Sequence, residues 1–236
     1  REREDRPINS TAFAPDEDQI TAAHEELVAM YGARERRAAR GSVLDGLIGT
    51  ILSQSTTNAN SGRAFASLKH RFASWDDARV APVRSVEAAI RSGGLARTKS
   101  RRIKEILQAA HRSRGETSLE HLRDAPRDEV FEELSALPGV GPKTISCVLL
   151  FSLGRDDFPV DAHVHRVAQR LGWIPGGTTR EKAYEQLNAA VPDRLAHSLH
   201  LLMVHHGKAT CRPSRPRCGD CRLAPRCLWY GRNEAT

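Results

Sequence analysis

The chain has few aromatic residues and no long apolar segment. Both deficits limit the classes of protein to which it can belong. Phe, Trp and Tyr together make up 5% of its 236 residues. No apolar run approaches the ~18–20 residues that a membrane-spanning helix needs. No signal-type apolar segment follows the charged N-terminal residues. We therefore expect no membrane association, while 39% hydrophobic residues suffice for a packed core.

Lysine is also scarce. Only six of the 36 basic residues are lysines, and the other basic residues are arginines. The net charge of +7 at pH 7 suits a polyanionic partner such as nucleic acid, although an ordinary basic protein would also carry it. Arginine stays protonated and binds phosphate as a planar fork, whereas lysine can lose its proton and attack carbon. A lysine in an unusual setting is therefore a candidate nucleophile.

Helical periodicity recurs along most of the chain, and no segment is convincing as a strand. The predicted helices are about 17–31, 42–53, 59–72, 82–91, 98–112, 126–137, 142–153, 161–171, 180–190 and 193–206. Every connection between them is short, which is typical of an all-α fold. Residues 1–16 are charged and contain two prolines, so we expect a flexible tail there.

Four of the five cysteines lie within seventeen residues near the C-terminus. Their spacing is C-x6-C-x2-C-x5-C, at Cys211, Cys218, Cys221 and Cys227. Four thiolates can surround one metal centre, either a zinc ion or an iron–sulfur cluster. A pair of disulfides is the alternative, and it is disfavoured because nothing else in the chain suggests secretion. The pattern therefore predicts a metal site in a reducing cytoplasm.

The sharpest local signal is the string LPGVGPKT at residues 137–144. Glycine tolerates the positive φ of a tight turn, and its missing Cβ lets another backbone come close. Pro142 is favoured in the first turn of a helix, and the free N–H groups of that turn can bind a phosphate. Gly139, Val140 and Gly141 therefore predict a turn between two helices that contacts a phosphate backbone, with a plain connector as the alternative.

These motifs together resemble the DNA glycosylases related to endonuclease III. The string LPGVGPKT is similar to the family's helix-hairpin-helix, and VDAHVHRV at 160–167 is similar to its VDTHxxRV segment. The cysteine spacing matches the family's iron–sulfur loop in every interval. The resemblance spans roughly 42–227 and implies a two-domain, all-α helix-hairpin-helix fold with a [4Fe–4S] cluster. Residues 45–155 would form a helical barrel ending in the hairpin, and 17–44 plus 156–236 would form the cluster domain.

The resemblance also implies a chemistry and two catalytic residues. Such enzymes flip a damaged base out of duplex DNA, and cleavage of its bond to the sugar builds positive charge on the sugar. Asp161 would stabilise that charge, although its position also suits a helix N-cap. Lys143 would attack the sugar C1′, form a Schiff base and allow cleavage 3′ to the lesion. The expected activity is that of a DNA glycosylase and AP lyase acting on oxidised pyrimidines.

Further residues are implied as DNA contacts. Residues 52–58 resemble the family's L-S-x-Q-x-T-D, so Gln54, or Ser55 by strict alignment, would fill the gap left by the flipped base. Residues 93–99 resemble its G-L-x-x-x-K loop, so Leu95 would intercalate and Lys99 would lie beside the DNA backbone. The alternative for Leu95 is packing under the next helix. Phosphate contacts are expected at the hairpin and in the cysteine loop, from Gly139, Val140, Gly141, Arg212, Arg215 and Arg217.

Three features depart from the family pattern. The glutamine is displaced by one position, Asn58 stands where an acid is common, and Pro142 stands where a basic residue is common. They keep two alternatives open: a mismatch-type glycosylase acting on thymine or adenine, and a non-catalytic DNA-binding paralogue. The expected partner is duplex DNA with a damaged base or an abasic site, bound by a monomer at the cytoplasmic nucleoid.

Overall fold

The computed structural model describes residues 14–36 and 41–234, and it contains no strand within them. The α-helices are α1 (Glu17–Tyr31), α2 (Val43–Ser53), α3 (Asn58–Arg71), α4 (Trp75–Val80), α5 (Val83–Ala89), α6 (Ala96–Arg114), α7 (Arg127–Ser135), α8 (Pro142–Cys147), α9 (Ala162–Leu171), α10 (Arg180–Ala190), α11 (Asp193–Ala209) and α12 (Leu228–Glu234). The predicted all-α class is confirmed over this part of the chain. No helix in it is both long and apolar enough to cross a membrane.

The described residues divide into two compact units. We call residues 41–155 the hairpin unit, and residues 14–36 with 156–234 the cysteine unit. Residues 41–44, which the family resemblance assigned to the cluster domain, lie in the hairpin unit because Ser42 caps α2 and Val43 is buried in its core.

The expected N-terminal tail is only partly within the described residues. Positions 1–13 lie outside them, as do positions 37–40. Pro15 is buried, and the Asp16 carboxylate accepts a hydrogen bond from the Gln19 backbone N–H at 2.7 Å. The Gln19 side chain in turn accepts from the Asp16 backbone, completing a capping box that starts α1. Residues 15 and 16 therefore belong to the folded cysteine unit.

α2 is the central helix of the hairpin unit. Its sequence is apolar on nearly every side, so six of its residues are buried: Val43, Leu44, Leu47, Ile48, Ile51 and Leu52. It packs against α3, α6 and α8. Burying one such side chain contributes about 1.5–3 kcal/mol, so α2 is a rigid base for the loops that leave it.

α11 is the central helix of the cysteine unit and packs against α1 and α9. Its end is fixed by Tyr31, whose hydroxyl lies 2.8 Å from both His206 Nδ1 and Thr210 Oγ1. Burial lowers the pKa of His206 to about 4, with smaller contributions from His205 and Arg166. His206 is therefore neutral at pH 7. The hydrogen bonds of Tyr31 with His206 and Thr210 fix the end of α11, where the cysteine loop begins.

Candidate functional site

The turn between α7 and α8 has the tight geometry that its glycines predict. Gly139 has φ +71°, in the region that glycine adopts at little cost. Val140 is 6% exposed and packs into the core of the hairpin unit, while Gly141 is exposed. The Gly141 carbonyl accepts hydrogen bonds from the Thr144 and Ile145 N–H groups and begins α8. Val140 thus holds the hairpin against the core of the hairpin unit, and the backbone of the hairpin is exposed at the surface.

Lys143 lies in the first turn of α8, immediately after the hairpin. Its side chain is half-buried, and its amine has no hydrogen-bond or ion-pair partner among the residues described for the hairpin unit. The next residue, Thr144, is 4% exposed, and the helix continues as a buried π-helical segment, Val148–Ser152. A reactive lysine at this position would therefore be attached to a buried, well-packed helix. Its amine would not first have to break a hydrogen bond or an ion pair within the hairpin unit.

Gln54 ends α2 and points between α6 and α8. Its Oε1 accepts a hydrogen bond from Arg102 Nη1 at 2.9 Å, and its Nε2 lies 3.5 Å from Thr144 Oγ1. The next residue, Ser55, is exposed and has φ +52°. The structure therefore brings the glutamine beside the helix of Lys143 and leaves the serine at the tip of the loop.

Leu95 occupies the loop before α6 in an unusual conformation. It has φ +49° and is 60% exposed, so it does not pack beneath the following helix. A left-handed conformation costs a non-glycine residue about 1–2 kcal/mol. An exposed leucine held in it gains nothing from burial to offset that cost. Leu95 is therefore available to a ligand, which suits the expected wedge.

Lys99 lies elsewhere than expected. It is 2% exposed, and its Nζ donates hydrogen bonds to the carbonyls of Leu52 at 2.8 Å and Gly93 at 2.9 Å. A phosphate contact from this ammonium is incompatible with that burial. The reason is helical register: Lys99 precedes Ile103 by four residues and so shares its buried face of α6. Lys99 instead joins the end of α2 to the loop that carries Leu95.

Asp161 is the N-cap of α9, as its position allowed. Its Oδ1 accepts hydrogen bonds from the His163 and Val164 N–H groups, both at 2.8 Å. Its other oxygen, Oδ2, has no hydrogen-bond partner among the residues described for the cysteine unit. One carboxylate oxygen therefore orients the group, and the second stays available for chemistry.

Two arginines of α9, which the sequence analysis did not single out, hold the segment around the cysteines. Arg166 donates to the carbonyls of Gly207 at 2.7 Å and Cys211 at 3.0 Å. Arg170 donates to Cys211 Sγ at 3.2 Å and to the carbonyls of Arg212 at 2.7 Å and Pro213 at 3.0 Å. Arg166 and Arg170 are four residues apart and so share one face of α9, and Arg166 also occupies the arginine position of the VDAHVHRV segment.

All four cysteines of the predicted metal site line one cavity, together with apolar side chains such as Val167, Leu171 and Leu223. None of the four forms a disulfide, and burial raises the pKa of Cys221 to about 11 and also raises that of Cys227. Among the described residues, no three metal-ligating side chains are already placed to hold an ion. The four sulfur donors nevertheless line one cavity, which suits a sulfur-ligated centre.

The three arginines expected at DNA phosphates lie on the outside of the cysteine loop. Arg212, Arg215 and Arg217 are all exposed, and Arg215 has φ +51°. The carbonyls of Arg212 and Pro213 are the ones that Arg170 binds. The loop backbone is thus fixed from within while its guanidinium groups face solvent.

Comparison with known proteins gives one family. Residues 48–193 match the family described as HhH-GPD superfamily base excision DNA repair protein. Endonuclease III of Thermotoga maritima is 33% identical over 186 residues, covering 79% of this chain and 83% of that protein. A protein of Arabidopsis thaliana, provisionally named a DNA glycosylase, is 49% identical over 181 residues, covering 77% of this chain. The match spans only 59% of that plant protein's length.

A solved structure shares the fold over nearly the whole chain. It is a trapped covalent intermediate of Endonuclease III with DNA, and it aligns with a TM-score of 0.77 at 27% identity. The alignment covers 92% of this chain and 98% of that one.

Proposed function

The chain belongs to the HhH-GPD superfamily of base excision DNA repair proteins, and on that premise we propose that it is a bifunctional DNA glycosylase and AP lyase. Membership makes it a base excision repair DNA glycosylase. The lyase proposal rests on one observation, the half-buried Lys143 whose amine has no partner within the hairpin unit. A similar protein, Endonuclease III, forms a covalent intermediate with DNA, which supports the proposal.

In the proposed reaction the bond between the damaged base and C1′ of its sugar breaks, and the base leaves with the bonding electron pair. The carboxylate of Asp161 stabilises the positive charge on the sugar through its free oxygen. The neutral amine of Lys143 forms a bond to C1′ and loses a proton, and opening of the sugar ring gives an imine. The imine makes the C2′ proton acidic. Its loss expels the 3′ phosphate, and hydrolysis of the imine then restores the amine.

We propose duplex DNA with an oxidised pyrimidine or an abasic site as the substrate. The exposed Leu95 and the Gln54 side chain lie on loops of the same unit as Lys143, so both suit contact with one distorted duplex. Backbone at the hairpin and the exposed Arg212, Arg215 and Arg217 would bind phosphates without reading sequence. Binding should therefore weaken as salt concentration rises.

We also propose that Cys211, Cys218, Cys221 and Cys227 hold a [4Fe–4S] cluster. The position of the four cysteines on one cavity and their spacing support it, and a zinc ion is the chemical competitor. When bound, the cluster would cross-link the loop that carries the three exposed arginines. Purified protein should absorb broadly in the visible range and contain iron and sulfide in equal amounts. A colourless protein loaded with zinc would contradict this assignment.

Borohydride trapping tests the catalytic proposal directly. Wild-type protein incubated with an abasic duplex and borohydride should form a covalent adduct, and Lys143→Gln should not. Lys182→Gln is the matched control, because Lys182 is exposed on α10. Wild-type protein that binds the duplex and gives no adduct would contradict the lyase. A panel of duplexes with oxidised or mismatched bases then identifies the base that is removed.

A further inference from the structure

We propose that Arg102 is a positioning residue that presets Gln54 for filling the gap left by an extruded base. The inference rests on the proposed function and assigns a role to a side chain that the proposed reaction does not use. It concerns only the hairpin unit, where α6 lies beside the end of α2 and the hairpin.

The contacts of Arg102 join these two elements. Its Nη1 donates a 2.9 Å hydrogen bond to Gln54 Oε1. Its side chain also covers Gly139 so closely that a Cβ at that glycine would collide with the Arg102 Nε and Cζ. The same guanidinium group therefore touches the hairpin before Lys143 and holds the polar side chain at the end of α2.

The hydrogen bond also fixes which way the Gln54 amide faces. A guanidinium group can only donate, so the amide must turn its oxygen towards Arg102. The amide nitrogen then faces Thr144 Oγ1, 3.5 Å away, a distance at the limit of a hydrogen bond. Its two N–H donors are thus weakly used and available to a base left without its partner.

A second residue of the same helix holds the backbone of these loops. Lys99, one turn before Arg102, binds the Leu52 and Gly93 carbonyls from within the core. Lys99 therefore fixes the position of the loop backbones, and Arg102 fixes the orientation of the Gln54 side chain. Preorganisation of this kind avoids ordering a flexible glutamine when DNA binds.

The competing explanation is that Arg102 is simply a positive charge for a DNA phosphate. Lysine at this position would keep the charge but not the planar fork that holds an amide oxygen while lying flat on the hairpin. Methionine would keep much of the aliphatic bulk over Gly139 and lose both charge and donors. The two substitutions therefore separate attraction of the DNA from orientation of Gln54.

The test is a double-mutant cycle between Arg102→Met and Gln54→Ala. One readout is the single-turnover cleavage rate on an abasic duplex. The other is the fluorescence of 2-aminopurine placed opposite a tetrahydrofuran abasic analogue, which reports gap filling without chemistry. Arg101→Met is the matched control, because Arg101 is the exposed neighbour on α6. Thermal unfolding of each variant excludes a loss of the fold.

We expect Arg102→Met to slow cleavage by about 10- to 100-fold, up to the loss that a 1 Å misplacement of a reacting group can cause, and to change the 2-aminopurine signal. In the Gln54→Ala background the same substitution should change neither readout. Equal slowing in both backgrounds, or a wild-type rate in Arg102→Lys, would overturn the inference. If wild-type protein shows the coupled fluorescence change but cleaves nothing, the inference stands and the proposed lyase fails.

Discussion

Replacing Lys99 with methionine should destabilise the hairpin unit without removing a DNA contact. The substitution takes two hydrogen bonds from the buried carbonyls of Leu52 and Gly93. Each buried acceptor left unsatisfied costs about 1–3 kcal/mol. Part of this is offset, because methionine no longer requires a buried ammonium to lose its hydration. We expect a net loss of about 2–4 kcal/mol in the free energy of unfolding, within the range of other broken buried networks.

Urea denaturation at neutral pH measures this loss as a lower midpoint with an unchanged slope. Lys182→Met, an exposed lysine on α10, is the control and should stay within about 0.5 kcal/mol of wild type. If Lys99 contacted DNA, as the family resemblance implied, Lys99→Met would leave stability unchanged. It would instead reduce the salt dependence of DNA binding by roughly one unit of slope. That combination of results would refute the buried role.

The same residue predicts a pH dependence of stability. Burial lowers the pKa of Lys99 below its ordinary value of 10.5. The unfolded chain therefore binds this proton more tightly than the folded chain, and stability rises with pH between the two pKa values. The stability that the folded state gains from an uncharged Lys99 is fully present above pH 10.5. It is lost as the pH falls through the lowered pKa that Lys99 has in the folded state. The stability difference between wild type and Lys99→Met should thus widen as the pH is raised towards 10.5, and a constant difference would contradict the argument.

Three further substitutions test other parts of the site. Gly139→Ala combines a positive φ with a collision against Arg102 and should cost about 1–3 kcal/mol by thermal unfolding, whereas Gly141→Ala, with open space around it, should cost far less. Asp161→Asn should keep the cap, since asparagine is an equally good N-cap, but lose most base excision in single-turnover assays. Leu95→Ala should leave the unfolding midpoint unchanged, because the side chain is exposed, and slow cleavage of lesion duplexes.

Sequence patterns predicted the helices well where local signals were strong. α1 begins and ends at the predicted residues, because apolar spacing and Gly32 are both local signals. α6 begins at Ala96, two residues before the predicted start, because the exposed Leu95 takes the capping position in a left-handed conformation. α12 was not predicted, since only seven residues form it. Periodicity in so short a segment carries little weight.

Hydrogen bonds from side chains to carbonyl groups far away in the sequence could not be predicted from sequence patterns. Lys99 had a usable signal, its spacing of four from Ile103, but the resemblance of residues 93–99 to the family's G-L-x-x-x-K loop implied a place beside the DNA backbone. Arg102 and Arg170 bind partners 48 and 42 residues away in sequence, so no local pattern reveals them. Spacing likewise predicted the four cysteines as a donor set but gave no information on the cavity that they line.

Backbone conformation adds an independent observation on three loops that are proposed to contact DNA. Within residues 14–36 and 41–234, three non-glycine residues have positive φ: Ser55, Leu95 and Arg215. Each is exposed, so none of them is held there by burial. Glycine would adopt the same conformation at lower cost, yet each position keeps a side chain. Each also lies in a different segment that the family resemblance implies at the duplex: the end of α2, the loop before α6 and the cysteine loop. Strain of about 1–3 kcal/mol per residue is typical of functional loops that the surrounding fold over-determines, so the three conformations support the proposed contacts of these side chains with DNA.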